Sequence, residues 1–294
     1  MTKRRNPVAG ILLSILPMLA AFICQIVASV VVEIAVSIAY TVDSVAAGKT
    51  FDLYEFAEEM TTNPTYLGVT VVASEVAMIL CGALWYFIAY GKKDAGPKTM
   101  NGKTIPFALV AGIALQVVLT LILTLVLSIL PESVTDSYTS LTDSLIDSTS
   151  WYYIMAVGIL APFGEELFFR GITLKLCENY FSVKASIIIQ AFLFGALHVL
   201  CGLGSSGTIV QGIYAFAIGL LFGVIAAKFK SVWPSFLLHA VVNSSALVIS
   251  ALEENLEKPE LVFYGMLPIG FICLGIAIFI FTKFPKIRTE EVQE

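Results

Sequence analysis

Histidine is almost absent from this chain: only His198 and His239 occur among 294 residues. Charge is scarce too, at 13% Asp, Glu, Lys and Arg, about half the roughly 25% of a soluble domain. No hydrophilic stretch is long enough to fold alone, which excludes a second, soluble domain. The five cysteines (Cys24, Cys81, Cys177, Cys201, Cys273) are scattered and form no CxxC pair. That excludes a disulfide framework and a zinc knuckle, and they read as small apolar residues. There is no internal repeat, low-complexity tract or lipidation motif. No basic and aromatic surface is present for nucleic acid.

What remains is apolar: 58% hydrophobic residues and a mean hydropathy of +0.89. Runs of about 20 residues, the length that spans a bilayer, appear eight times, near 8–32, 66–90, 105–130, 151–176, 183–203, 208–228, 232–252 and 261–282. The expected fold is an all-α polytopic membrane protein of about eight helices, one membrane domain over 1–294. Placing Lys3, Arg4 and Arg5 inside puts 15 of the 17 basic residues on that side, leaving Lys49 and Lys258 outside. The outer loops are acidic instead, with Asp52, Glu55, Glu58 and Glu59, then Glu132, Asp136, Asp143 and Asp147, then Glu253, Glu254, Glu257 and Glu260. By the positive-inside rule both termini are cytoplasmic, and the pattern fits a bacterial plasma membrane. The run from Val8 exceeds the h-region of a cleaved signal and reads as a retained helix, which Pro17 is expected to kink.

The remaining polar residues cluster. Gly164-Glu165-Glu166-Leu167-Phe168-Phe169-Arg170-Gly171 places two carboxylates and a guanidinium in an apolar run, where each charge costs about 2.5–3.5 kcal/mol or more and marks a functional site by default. Glu166 and Arg170 are i and i+4, so they share a face and can pair. Glu165 lies about 100° away and stays available. Phe194 and His198 repeat the i, i+4 spacing on the fifth span, as do His239 and Asn243 on the seventh. A carboxylate, two imidazoles and a carboxamide can thus converge in one pocket, with Gly195, Ala196 and Ala240 permitting close packing. The motif-bearing core covers about 151–252.

These three motifs, Glu165-Glu166…Arg170, Phe194…His198 and His239…Asn243, resemble the CPBP or Abi family of CAAX-prenyl proteases and bacteriocin-processing enzymes, whose pattern is EExxxR, FxxxH and HxxxN or HxxxD. Each motif fixes only two or three positions, so it is the three in order, using both histidines, that carry the likeness. The resemblance implies an intramembrane endopeptidase acting on a membrane-associated peptide or protein. Glu165 would activate a water that His198 helps orient, and His239 and Asn243 would bind the oxyanion. Glu166, Arg170 and Phe194 would support them. No cofactor is required by that scheme. A zinc reading stays open beside it, because one glutamate and two histidines (Glu165, His198, His239) with a water make a catalytic zinc set.

Other readings compete. A chain of this kind can be a non-catalytic scaffold or immunity protein binding a partner enzyme such as a cell-wall hydrolase, or a transporter whose carboxylates carry ions. Gly204-Ser205-Ser206-Gly207 fits a serine-protease GxSG, yet a Gly/Ser turn is expected there and it leaves the buried glutamates unexplained. There is no HExxH and no GxGD. Glu33 falls at the outer end of the first span, Glu75 lies mid-span beside Ser74, and Gln116, Gln190 and Gln211 read as interhelical donors. Depth poses a test: a fourth span ending at Arg170 would leave Glu165 roughly 15 Å from the level of His198. Convergence requires that span to lie deeper, about 155–176, with Arg170 inside.

Overall fold

The computed structural model describes residues 6–48, 50, 52–91, 104–146, 151–258 and 260–284. Helices dominate these residues and no strand occurs among them: α1 (Pro7–Ala46), α2 (Leu53–Thr62), α3 (Pro64–Tyr90), α4 (Thr104–Leu127), α5 (Glu132–Ile146), α6 (Trp151–Glu178), α7 (Val183–Cys201), α8 (Ser206–Phe229), α9 (Trp233–Asn255) and α10 (Glu260–Thr282). All but α2 and α5 are long and apolar enough to cross a membrane. The protein is an all-α chain with the eight expected spans. Their outer faces carry exposed Ile, Leu, Val and Phe, among them Leu12, Phe87, Phe192 and Phe279, which suits contact with lipid and not water.

Local chemistry sets the helix ends. Asn6 accepts a hydrogen bond from the Val8 amide ahead of Pro7, and Asn63 does the same for Thr65 ahead of Pro64. Side-chain acceptors thus satisfy amides the first turn leaves open, while proline fits where no donor is needed. Ser182 and Ser205 cap α7 and α8, and Lys230, in the left-handed region at φ 51°, closes α8. Helix α1 departs from expectation. It does not stop near 32 but runs 40 residues, about 60 Å at 1.5 Å each, or twice the hydrocarbon thickness. No Gly or Pro interrupts 18–46, so nothing breaks it, and Glu33 sits on an exposed turn.

Helix α6 runs through the middle, packed by α1, α3, α7 and α9. Its residues Phe168, Phe169 and Ile172 join Met78, Phe194, Phe222, Leu238 and Val242 in the principal core. Helices α7 and α8 form the tightest pair. A Cβ on Gly195 would lie 2.5 Å from the Gly212 carbonyl oxygen, and one on Gly219 would lie 3.3 Å from the Ala191 backbone. Small residues let two backbones meet where lipid supplies no hydrophobic drive between helices. On the other side, α4 holds α9 and α10, with Gly112 under Val241 and Gly270 under Val117. Helix α5 lies across the start of α8, where Ser137 Oγ accepts from the Gly207 amide at 3.0 Å.

Candidate active site

Helix α6 is not a regular α-helix. Ala156–Leu160 and Leu167–Thr173 are π segments. The Ala161 amide reaches back five residues to Ala156, and Leu174 reaches to Phe169. Pro162 explains part of the first segment, because it has no N–H to offer. The Val157 carbonyl therefore has no donor at i+4, where Ala161 is already spent, or at i+5, where Pro162 stands. Asn243 of α9 supplies one, donating from Nδ2 to that carbonyl at 3.0 Å. Such π-bulges concentrate at functional sites, and here the six residues between the two segments, Ala161–Glu166, end on the glutamate pair.

The two glutamates straddle one imidazole. His239 donates from Nδ1 to Glu166 Oε1 at 3.1 Å, and its Nε2 lies 3.6 Å from Glu165 Oε2. The first is a hydrogen bond; the second is an electrostatic contact slightly too long to be one. Arg170 Nη1 donates to the same Glu166 oxygen at 2.8 Å, so the expected i, i+4 pair forms although the helix is π-wound there. The guanidinium is fully enclosed. Its Nη2 donates to the Gly219 carbonyl at 3.3 Å, and its carbon lies 4.5 Å from the Phe194 ring centre and 5.2 Å from that of Phe222. Exposure separates the acids: the Glu166 side chain is 0% accessible while Glu165 keeps 16%. Glu166 is consumed by structure, and Glu165 is the one with room for a water.

Phe194 ties His198 to this centre. Its ring meets His198 edge-on at 4.7 Å, His239 at 6.1 Å and Phe169 at 5.0 Å. His198 Nδ1 pairs with the Phe194 carbonyl at 2.9 Å, which as a donor contact leaves Nε2 with its lone pair. Thus Glu165, Glu166, Arg170, Phe194 and His239 meet directly, His198 flanks them across Phe194, and Asn243 is anchored one turn from His239 on α6. The depth requirement is met by length: α6 extends 28 residues to Glu178, so Arg170 is interior and paired. It begins at Trp151, not 155.

Sequence reasoning missed Phe222, whose ring lies 4.7 Å from His239 at 38°, and Gly219, whose carbonyl takes both Arg170 and Gln190 Nε2. One phenylalanine among 20 carries no signal. The spacing Gly212, Gly219, Gly223 did mark one face of α8. Gln190 is interhelical as expected, whereas Gln116 donates to Thr120 on its own helix. Ser205 of the Gly/Ser turn caps α8 by accepting from the Thr208 amide, and Ser206 opens the helix. Among the described residues no three His, Cys, Asp or Glu side chains gather closely enough to hold a metal ion. In the set Glu165, His198 and His239, both histidine Nδ1 atoms are already engaged.

Comparison with known families agrees with this geometry. Residues 147–245 match the family model described as Rce1-like, type II CAAX prenyl endopeptidase Rce1-like. This part of the chain is an Rce1-like domain. It holds the whole constellation, from the carboxylates of α6 to Asn243 of α9, and its class is the CAAX-type intramembrane endopeptidase, a hydrolase. No curated protein and no solved structure matches the chain. The eight apolar helices make the protein integral to a membrane, so the Rce1-like domain meets lipid, and its substrates are membrane-associated.

Proposed function

We propose that the protein hydrolyses a peptide bond of a membrane-associated substrate by a metal-free mechanism in which Glu165 activates water. The observation that carries this reading is the pair of carboxylates on either side of His239, one sealed and one accessible. Arg170 and His239 hold Glu166 from two directions, which fixes the imidazole ring with Nδ1–H toward Glu166 and Nε2 toward Glu165. A water beside Glu165 gives up its proton to that carboxylate as its oxygen attacks the carbonyl carbon. His198, half-buried across Phe194, offers Nε2 as a second acceptor to orient the same water. The carbonyl π pair moves onto oxygen, where His239 in its imidazolium form, with Nδ1–H on Glu166, donates from Nε2–H beside the second N–H of Asn243. Donors fixed beforehand in a dry pocket stabilise such charge far better than water does. The proton on Glu165 then passes to the leaving nitrogen as the C–N bond breaks.

The test compares purified protein with Glu165→Gln in nanodiscs on a library of membrane peptides, read by mass spectrometry with and without chelator. Wild type is expected to cleave, the variant to lose about two to four orders of magnitude, the scale of general base catalysis, and chelator to change nothing. Cleavage that survives in Glu165→Gln would overturn the assignment. Chelator-sensitive cleavage would restore the zinc reading, with Glu165, His198 and His239 as ligands.

A further inference from the structure

The outer half of α1 carries an apolar face that the bundle leaves uncovered. Val27, Val31, Ile34, Ile38, Val42 and Val45 are 55–66% exposed. Steps of three and four residues keep all six on one side of the helix. The residues that pack α1 on the bundle, Gly10, Ser14, Met18 and Ala21, lie about 100° round from them. Helix α2 covers the opposite side, where Phe56 stands 5.3 Å from Tyr40. Depth gives the face its meaning. Gln25 of α1 donates to Glu75 of α3 at 3.1 Å, and these neighbouring helices run antiparallel. From that contact α1 continues to Ala46, while α3 reaches back only to Pro64. At 1.5 Å per residue, α1 therefore stands about 15 Å beyond the start of α3. Exposed valine and isoleucine are ordinary against lipid. Above it, in water, a continuous row of them marks a docking surface.

We propose that this face of α1 docks on the same face of a second copy of the chain, making a parallel pair in the membrane. Copies in one membrane share one orientation, so their α1 helices meet at equal depth and run the same way. Each residue of the row then faces its own counterpart about a twofold axis, which makes the surface self-complementary. Charge selects this occupant. Between residues 33 and 62 the chain has six acids and one lysine, so two copies repel unless those charges are kept apart. Glu33 and Asp43, the charged residues of 27–46, both lie more than about 100° from the middle of the row. The positions beside it, among them Ala28, Ala35 and Thr41, are uncharged. A helix that rests on lipid headgroups carries Lys and Arg on its polar face instead, and 27–46 has neither. The six side chains are β-branched and stiff at χ1, so ordering them in a contact costs little entropy.

The experiment uses the full chain in liposomes, with photoreactive benzoylphenylalanine in place of Ile38 or, on the far side, of Glu33. Irradiation at Ile38 is expected to give an adduct of twice the chain mass. At Glu33 the yield should be about tenfold lower, because that face points away from the contact. An adduct of lipid mass at Ile38 would show that the row lies on the bilayer, and no adduct would show that it stands in water. Either result overturns the proposal. Single-molecule photobleaching at low protein density supplies the second measurement. Labelled wild type should show two copies per particle, and Ile38→Glu/Val42→Glu should show one while keeping its helical circular dichroism. Two copies in that variant, or one in wild type, would overturn the proposal as well. Should the double variant fail to fold, the cross-link at Ile38 still decides, since it leaves the row apolar.

Discussion

At Asn243 one side chain is asked to do two things. Its Nδ2 donates to the Val157 carbonyl, a group that Pro162 leaves without a donor on its own helix, and its second N–H is the oxyanion donor proposed above. The two roles can be separated. Asn243→Ala leaves a carbonyl unsatisfied in a membrane-embedded site, which costs about 1–3 kcal/mol, and it removes the catalytic donor as well. Pro162→Ala returns an N–H to α6 within reach of Val157 or Gly158. In the double variant Asn243→Ala/Pro162→Ala, thermal unfolding should recover much of the lost stability, a coupling of about 0.5–3 kcal/mol. Cleavage should stay low. Additive losses of stability would show that proline does not create the need for Asn243. The same residue illustrates the limit of sequence reading. His239 and Asn243 were visible as a pair on one face, and Pro162 was visible as a missing donor. That the amide of one answers the other depends on where α9 crosses α6, which no spacing within a helix records.

Among the elements, the α7–α8 pair carries the Phe194–His198 face and places Gly219 against Arg170. Its closeness is specific: Gly195 and Gly212 touch backbone to backbone. Gly195→Ala should push the helices apart, because the obstacle is a carbonyl and not a flexible side chain. Overpacking of this kind costs about 1–3 kcal/mol, and the shift should reduce turnover by moving Phe194 and His198 against the fixed α6 centre. Gly265→Ala and Gly275→Ala on α10, where nothing lies within 4 Å, are the controls and should leave both midpoint and turnover unchanged. Equal effects at all three sites would sink the argument. Elements were the most legible scale in the sequence, since long apolar runs can do little else but span. Three features were not legible. The π segments depend on hydrogen-bond choices between neighbouring carbonyls. The length of α1 beyond residue 32 follows from the lack of a breaker, where hydropathy alone suggested an end. Helices α2 and α5 lie in acidic stretches that hydropathy treats as loops.

For the whole molecule, the Rce1-like match covers 147–245, yet helices before it complete the centre. Met78 covers Gly164, and Gly82 lies against Phe168, whose ring a Cβ there would meet at 2.9 Å. Ser14 of α1 pairs with Cys177 at the end of α6 at 3.1 Å, and Gly10 packs under Tyr180 and Phe181. The matched segment therefore carries the Glu165–Glu166 pair on α6, with one flank of that helix still to be covered. A fragment starting at Thr104 should insert in a membrane, since each span is apolar enough alone, but it should not cleave peptide. Helix association in bilayers rests on packing contacts and not on chain continuity. Co-expression of 1–98 with 99–294, a cut in the polar segment between α3 and α4, should accordingly restore cleavage and co-purify as one complex. Carrying Gly82→Leu in the first fragment should weaken both, because the added side chain enters the space of Phe168. If 104–294 cleaves as well as the full chain, α1 and α3 are dispensable. If the two fragments associate without activity, chain continuity supplies something that packing does not.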